Sequence, residues 1–206
     1  MRITRLYELI KGVIMTIEKT KATDTVSSGL TCNTKAGEAA QATGVFNIIC
    51  RDKDGNFKWQ AESKNLVVNA GLAYMAGTAL TSVTQITSFF LGLYGAGASN
   101  TPAAGDTMAS HAGWTEDTNY SNGTRVAATF VTATTTNPSV VTNSASPAVF
   151  NINGTTTIGG AFLTSGSVKG GTTGTLFSAA DFGSPGDRSV VNSDTLSVTY
   201  TFSLAA

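Results

Sequence analysis

Three side chains in the middle of the chain have the residue types of a serine hydrolase. Asp106, Ser110 and His111 lie close together in the sequence, and His111 is the only histidine. A nucleophilic hydroxyl, an imidazole base and an orienting carboxylate are the parts of a catalytic triad. Ser110 and His111 are adjacent, however, which does not suit that geometry, and the chain has no Gly-x-Ser-x-Gly elbow. We therefore expect His111 to be hydrogen-bonded beside Trp114, and we expect the chain not to be an enzyme.

The segment that contains these residues predicts a well-defined turn. Within residues 103–116, Asp106 is placed to cap a short helix. Trp114 offers a large apolar surface with one N–H donor, which suits a lid over neighbouring apolar groups. We expect Asp106, His111 and Trp114 to form a structural motif rather than a catalytic one.

Other carboxylates could bind a metal or transfer protons only in particular arrangements. Glu116 and Asp117 could act as acid and base if a further carboxylate faced them, but adjacent carboxylates are more often part of a solvated turn. Asp181, Asp187 and Asp194 would bind calcium only if their loops converged. We expect no metal and no cofactor.

An acidic stretch early in the chain resembles the start of a calcium loop. Residues 52–56 read Asp-Lys-Asp-Gly-Asn, but Gly55 comes two places too early for an EF-hand and no glutamate closes the loop. The flanking runs, residues 45–51 and 57–62, alternate in the manner of strands. Because Asp-Gly suits the positive φ of a tight turn, we predict a β-hairpin here.

The two cysteines do not have the spacing of a zinc site. Cys32 and Cys50 show no CxxC arrangement and no histidine-rich neighbourhood. Cys50 alternates with Phe46 and Ile48, so its thiol is expected to pack in the core. Two cysteines do not define a disulfide framework, and a single disulfide between them stays an open alternative.

The composition favours one large β domain with an additional N-terminal segment. The chain has 206 residues, of which 41% are hydrophobic and 13% charged, and this excludes the highly charged disordered class. Net charge is zero, but ten of the 13 basic residues lie in the first 64 positions. Acidic residues are interspersed among them, so we expect no direct contact with nucleic acid.

No stretch of the sequence has the length and hydropathy of a membrane span or a secretion signal. No apolar run approaches the roughly 18 residues that a membrane span requires. Glu8 and Lys11 interrupt the run that a signal peptide would need. We therefore expect a soluble protein, made in the cytoplasm, with no membrane partner.

The first 43 residues are predicted to lie outside the β domain. Apolar residues recur there near a 3.6-residue period, which is typical of an amphipathic helix that folds onto its own domain or docks on a neighbour. The candidate interface residues are Leu6, Leu9, Ile10, Val13 and Ile17. Residues 20–43 have few large apolar groups and predict an extended arm. Residues 44–206 then form the second unit.

Short strand-like runs separated by turns fill the second unit. Residues 88–94 form a continuous apolar run, which suits a strand buried on both faces. Residues 195–204 alternate strictly between apolar and polar types, which places one face in the core. Further predicted strands are residues 65–69, 125–132, 148–152, 156–163 and 174–178. The pattern predicts an all-β fold, a jelly-roll-like antiparallel β-sandwich.

One short helix interrupts the strands. Asn69 is expected to cap a helix over residues 70–77, with Leu72, Met75 and Leu80 facing the sheet at roughly helical spacing. A helix of this composition is more often part of a core than of a cofactor site.

Several motifs of the β domain resemble a family of small virion structural proteins of tailed bacteriophages. They are Asn-Leu-Val-Val-Asn-Ala-Gly-Leu at 65–72, Phe-Leu-Gly-Leu at 90–93, Gly-Asp-Thr-Met-Ala-Ser-His-Ala-Gly-Trp-Thr-Glu at 105–116, Gly-Gly-Ala-Phe-Leu at 159–163 and Asp-Thr-Leu-Ser-Val at 194–198. The likeness covers about residues 45–206. It implies a head decoration (cement) or accessory protein of the virion, without catalytic residues.

The resemblance leaves two structural functions and one enzymatic function to weigh. A cement protein would form a homo-oligomer and bridge subunits of the major capsid protein or other virion proteins. A tail or head-fibre component would instead contact the host surface through its Thr-, Ser- and Gly-rich loops. A hydrolase would rely on Ser110, His111 and Asp106. We expect the first of these, with the protein located in the virion.

Overall fold

The computed structural model describes residues 40–96, 101–182 and 186–206. The predicted N-terminal helix, with Leu6, Leu9, Ile10, Val13 and Ile17, lies outside the described residues, and so do Cys32 and most of the predicted arm. The described domain begins slightly earlier than predicted. Residues 41–43 belong to the first strand, where they pair with residues 203–205.

Twelve strands and one helix lie among the described residues, arranged as two antiparallel sheets. The strands are β1 (Gln41–Arg51), β2 (Phe57–Lys64), β3 (Leu66–Val67), β4 (Phe89–Gly95), β5 (Glu116–Asp117), β6 (Val126–Ala128), β7 (Ser139–Thr142), β8 (Ala148–Asn151), β9 (Thr156–Thr164), β10 (Leu176–Asp181), β11 (Arg188–Val190) and β12 (Thr195–Ala205). The helix α1 (Asn69–Leu80) joins β3 to β4. The predicted all-β sandwich with one short helix is confirmed.

The five-stranded sheet is organised around its longest pair of strands. Its order is β2-β1-β12-β7, and β8 also pairs with β12. β1 and β12 pair from Gln41 opposite Ala205 to Arg51 opposite Thr195. Buried residues alternate with more exposed ones along β1 and along β12 as far as Tyr200, whereas Phe202 is only partly buried and Leu204 is exposed. This confirms the alternation predicted for the last strand and fixes the register, because a one-residue slip would turn the apolar side chains to solvent.

The seven-stranded sheet has β9 and β4 at its centre. Its order is β3-β10-β9-β4-β5, while β11 pairs with β9 and β6 pairs with β4. The predicted strand at residues 88–94 is confirmed as β4, in which residues 91–94 are all buried. Both faces of β4 are therefore covered along residues 91–94, as expected for a strand with a continuous apolar sequence.

The main core lies between the two sheets. Phe46, Ile48 and Val198 from one sheet belong to the same buried cluster as Leu91 and Leu163 from the other. Cys50 is buried in this cluster as predicted. Burial, and after it the neighbouring Asp194 carboxylate, raise the pKa of its thiol to about 11, so the thiol is un-ionised and poorly nucleophilic near neutral pH.

The helix α1 packs with a different face from the one predicted. No side chain caps its first turn, so the predicted Asn69 cap is wrong. Gly71 is buried against β10, where an added Cβ would overlap the carbonyl oxygen of Phe177. Because the backbone itself approaches the sheet at Gly71, Leu72 is turned outward and is 44% exposed, and Leu80 is 86% exposed. Met75 faces inward as predicted.

Candidate functional site

The outer face of the seven-stranded sheet carries two aromatic rings, each packed over a glycine of the neighbouring strand. Gly92 of β4 lies opposite Phe162 of β9, and Tyr94 lies opposite Gly160. A Cβ added to either glycine would overlap the ring opposite it. Gly92 and Gly160 are therefore required so that the Phe162 and Tyr94 rings can lie directly on the backbone of the neighbouring strand.

Replacing Gly160 by alanine is expected to destabilise the domain by about 1–3 kcal/mol, the usual cost of overpacking a tight site. The added methyl group would overlap both the Tyr94 ring and the carbonyl oxygen of Ala180, and that oxygen is main chain. Gly105→Ala is the matched control, because no atom lies within 4 Å of its Cβ position. Urea denaturation of both variants provides the test. Equal midpoints would show that the ring and strand move apart freely.

Trp114 covers the two rings. Its ring centroid lies 5.1 Å from that of Tyr94 and 5.2 Å from that of Phe162. The side chain is 3% exposed, and Met108 and Leu176 complete the cluster around it. The segment that precedes β5 thus folds back as a lid over the sheet. The burial of Trp114 in a second apolar cluster explains how β4 becomes covered on both faces.

Asp106 holds this lid through hydrogen bonds to its own loop. The Asp106 carboxylate accepts a hydrogen bond from Trp114 Nε1 at 2.8 Å and another from the Ala103 N–H at 3.0 Å. Asp106 is buried, and no helix begins here. The predicted helix cap is therefore wrong: the carboxylate closes a turn and satisfies the indole donor, which would otherwise be buried without a partner.

His111 stacks on the outer side of the lid. Its Nδ1–H donates to the Trp114 carbonyl oxygen at 2.8 Å, and the two rings stack with centroids 3.9 Å apart. Asp106 is hydrogen-bonded to Trp114 and Ala103, not to His111. Asp106, His111 and Trp114 are thus brought together, but Ser110, His111 and Asp106 do not form the hydrogen-bond chain of a triad.

A buried ion pair anchors the neighbouring loop, and it overturns the expectation of a solvated turn. Arg125 Nε and Nη2 donate to the two carboxylate oxygens of Glu116 at 2.9 and 2.6 Å. The two side chains are 1% and 7% exposed. Arg125 also donates to the carbonyl oxygens of Gly166 and Gly171, and its guanidinium lies 5.2 Å from the Phe162 ring centroid. This Arg125 ties β5 to the loop between β9 and β10.

Asp117 has a separate structural role. Its carboxylate accepts hydrogen bonds from the Thr156 hydroxyl at 2.6 Å and from the Asn119 N–H at 2.8 Å. Glu116 and Asp117 are neighbours in a strand, so their side chains leave it in opposite directions. The two carboxylates are therefore occupied in different polar networks, and they do not form an acid–base pair.

The three aspartates proposed for calcium do not form one group, although Asp181 and Asp187 lie near each other. Asp194 is buried, where it pairs with Lys58 and accepts a hydrogen bond from the Val191 N–H. Burial and the nearby Asp187 raise the pKa of Asp181. Within the described ranges, no group of three or more His, Cys, Asp or Glu side chains is placed to hold a metal ion.

The turn at residues 52–56 is a hairpin turn, as predicted. Asp52 Oδ1 accepts hydrogen bonds from the N–H groups of Asp54 and Asn56, each at 2.9 Å. Gly55 has a φ of +83°, which an L residue rarely adopts. The Asp52 carboxylate therefore closes the turn. The hydrogen bond that the Asn56 side-chain amide donates to it, and after it those from the Asn56 and Asp54 N–H groups, hold its pKa below its usual value.

An aromatic cleft opens between the two sheets. It has a volume of about 130 Å³ and an entirely apolar lining. The lining residues are Tyr74, Phe89, Phe130, Val141, Leu163, Phe177, Tyr200 and Phe202. A cavity of this size and chemistry fits one apolar side chain or a small apolar molecule.

The outward face of α1 is also apolar and uncharged. Leu72, Ala73, Ala76, Leu80 and the following Val83 are all exposed, and we call them the α1 surface. Sequence reasoning missed this surface, although a signal for it exists. The chain has no charged residue from position 65 to 105, and none from 126 to 168.

These features place the described domain in the class of antiparallel β-sandwiches, here with a tryptophan lid on one sheet and an apolar surface beside it. Comparison with family models, with curated proteins and with solved structures gives no match. In the part of the chain that the structure describes, no helix is long and apolar enough to cross a membrane.

Proposed function

We propose that this chain is a structural protein of tailed-bacteriophage virions, and that it decorates the capsid as a cement protein. The motifs that resemble such proteins build the lid and the central strands β4 and β9, and they also contribute β3 with the start of α1 and the start of β12. The observation that carries the proposal is the pairing of two features. Asp106, His111, Glu116 and Arg125 are hydrogen-bonded within the domain, and a charge-free apolar surface is left outside it.

Polar side chains that could do chemistry are used to hold loops in place. Asp106 and His111 secure the lid, and Glu116 and Arg125 secure the loop between β9 and β10. Such a network holds the surface loops in fixed positions, because these four side chains find their hydrogen-bond partners within the domain. Rigidity favours binding by contact, since less conformational entropy is lost on association.

The exposed apolar groups provide the contact. Contiguous apolar surface on a soluble protein marks a protein–protein interface more often than a solvent-facing region. The α1 surface and the aromatic cleft share this apolar character, and neither contains a charged side chain. A cement protein requires such surfaces, because it binds neighbouring subunits over large areas without turnover. The proposed partner is the major capsid protein.

Removal of residues 1–39 is expected to leave a folded β domain and to weaken attachment to phage heads by at least about tenfold, or about 1.4 kcal/mol. All twelve described strands lie after this segment, and the predicted apolar helix face lies within it. Thermal melting tests folding, and co-sedimentation with purified heads tests attachment. A full-length variant with Leu9→Gln and Val13→Gln separates apolar contact from chain length. A truncated protein that does not fold, or that attaches with unchanged affinity, would contradict this division of labour.

Cryo-electron microscopy of intact particles tests the proposal itself. A capsid cement protein is expected in many copies across the shell, following its symmetry. A position on the tail or on fibres, in a few or a dozen copies, would support the fibre function instead. Absence from purified particles would overturn both.

A further inference from the structure

Two carboxylates lie where β10 gives way to β11 along one edge of β9. β10 and β11 both pair with β9, whose other edge is taken by β4. Asp181 ends β10 opposite Gly160, and Arg188 begins β11 opposite Ile158. Because Asp187 directly precedes Arg188, the chain leaves β9 at one carboxylate and returns to it at the other. The register of the sheet therefore brings Asp181 and Asp187 to the same short stretch of β9.

The hydroxyl of a buried tyrosine faces this point. Tyr94 pairs with Gly160, and Gly160 pairs with Asp181, so the three residues form a row on one face of the sheet. The Tyr94 hydroxyl oxygen lies over Gly160, 2.3 Å from the position that a Cβ would occupy there. The hydroxyl therefore points along the row toward Asp181. Tyr94 is 0% exposed, and its hydroxyl has no hydrogen-bond partner in the described domain.

A main-chain oxygen lies beside this hydroxyl. The carbonyl oxygen of Ala180 is 2.2 Å from the same Cβ position on Gly160, so the Tyr94 and Ala180 oxygens are close neighbours. Any side chain at position 160 would fill the space that these two oxygens face. Buried polar groups in native proteins nearly always have a partner. An unpartnered hydroxyl in a space that glycine keeps open indicates a small polar ligand.

The two carboxylates have no counter-ion within the described ranges. The ion pairs there use other acidic side chains, and Arg188 instead donates to the Gly186 carbonyl oxygen. Burial and the nearby Asp187 raise the pKa of Asp181, as expected for neighbouring carboxylates without a cation. Burial, and after it the charges of Asp181 and Asp187, also raise the pKa of Tyr94. Tyr94 therefore stays un-ionised and offers a neutral oxygen.

The donor atoms favour calcium over other cations. All of them are oxygens, which suit hard cations rather than those that prefer nitrogen or sulfur. The two carboxylates balance a double positive charge. Calcium accepts about six to eight oxygens of mixed type in a flexible arrangement, whereas magnesium requires a nearly ideal octahedron and retains several waters. A lysine or arginine of a partner protein would reach the exposed Asp187 but not the buried hydroxyl of Tyr94.

We propose that Asp181 and Asp187, together with the Tyr94 hydroxyl and the Ala180 carbonyl oxygen, bind one calcium ion where β10 meets β11. Water completes the coordination of the ion. Binding neutralises the two carboxylates, gives the buried hydroxyl a partner and ties the ends of β10 and β11 together. The site is independent of the capsid assignment, because it uses neither the α1 surface nor the hydrogen bonds of the lid.

Calorimetric titration of the full chain, after removal of metal with a chelator, measures the affinity for calcium chloride. We expect one site with a dissociation constant between about 10⁻⁴ and 10⁻³ M, because only two ligands are charged. Calcium chloride at about 10 mM is then expected to raise the melting temperature by about 3–7 °C. Magnesium chloride at the same concentration is expected to give less than half of this shift. Sodium chloride at matched ionic strength controls for screening.

Substitutions locate the site. Asp181→Asn and Asp187→Asn are expected to fold, because each removes one of two neighbouring like charges, and to weaken calcium binding at least about tenfold. Without calcium, Tyr94→Phe is expected to be at least as stable as the wild type, because it removes an unpartnered buried hydroxyl. With calcium, it is expected to gain less stability than the wild type. Asp54→Asn, in the exposed acidic turn at residues 52–56, is the control and is expected to change neither quantity.

Three results would overturn the proposal. The first is a wild-type chain that shows neither binding heat nor a shifted melting temperature in calcium. The second is an equal shift in magnesium or sodium chloride, which would exclude a calcium site. The third is unchanged calcium affinity in both Asp181→Asn and Asp187→Asn, which would place the ion elsewhere on the chain.

Discussion

Replacing Trp114 by alanine is expected to lower the free energy of unfolding by about 3–5 kcal/mol, the range for removing a large aromatic side chain from a core. The indole is buried against Tyr94 and Phe162 and closes the second apolar cluster. Its loss would open a cavity over the outer face of the seven-stranded sheet. It would also leave the Asp106 carboxylate without its indole donor. Chemical denaturation monitored by circular dichroism gives the value.

Trp114→Phe separates the two contributions. Phenylalanine keeps most of the apolar volume but removes the Nε1–H donor, so we expect a loss of about 1–3 kcal/mol, the cost of leaving a buried acceptor unsatisfied. His111→Ala is the matched control, because it removes the stacked ring on the exposed side and leaves the Asp106 hydrogen bond intact. If Trp114→Ala melted at the wild-type temperature, the lid would not stabilise the domain.

Replacing Arg125 by methionine is expected to cost about 3–5 kcal/mol, because the Glu116 carboxylate would stay buried without its counter-ion. The same change removes the donors to the carbonyl oxygens of Gly166 and Gly171. Methionine preserves much of the unbranched shape that lies against the Phe162 ring. The loss would therefore report on charge and hydrogen bonds more than on packing. The measurement is again the free energy of unfolding in urea.

A double-mutant cycle isolates the ion pair. Adding Glu116→Gln to Arg125→Met removes the unpaired charge, so the double variant is expected to be more stable than Arg125→Met alone. Lys53→Met is the control, because Lys53 pairs with Asp54 at a solvent-exposed position and its loss is expected to change stability by at most about 0.5 kcal/mol. Additive effects of the Arg125 and Glu116 substitutions would show that the two side chains are not energetically coupled.

The sheets could be predicted from the sequence because residue alternation, short apolar runs and turn residues mark their strands within a few neighbouring positions. In β12, polar and apolar residue types alternate in the sequence from Thr195 to Leu204, and β4 is a short apolar run between turn residues. The hairpin between β1 and β2 has an Asp-Gly turn whose positive φ the chain needs. In each case, neighbouring residues alone determine the structure, and tertiary contacts agree with them.

The lid and the ion pair could not be predicted in the same way, because distant residues create their environment. Glu116 becomes buried only because Arg125 and the loop at Gly170–Gly171 close over it. Asp106 is predicted to cap a helix, but its carboxylate instead accepts a hydrogen bond from the Trp114 indole N–H. The strand β5, which contains Glu116, has only two residues and no pattern of its own.

The orientation of α1 depended on a backbone contact that hydrophobic spacing does not encode. Leu72 and Leu80 lie at a spacing that favours burial, yet both are exposed. Gly71 permits the helix to approach β10 so closely that its own backbone fills the space. Hydrophobic periodicity assigns large apolar residues to the core. It does not detect a glycine such as Gly71, which allows a close backbone contact because it has no side chain.

The position of β12 has a consequence for synthesis in the cell. β12 follows the other described strands in chain order, yet it lies in the interior of the five-stranded sheet, between β1 on one side and β7 and β8 on the other. While the ribosome is still translating residues 195–205, the partner edges of β1, β7 and β8 have no strand between them. The edges of β1, β7 and β8 that face β12 therefore stay unpaired until residues 195–205 have been synthesised. Premature termination there would release an aggregation-prone product rather than a shorter working domain.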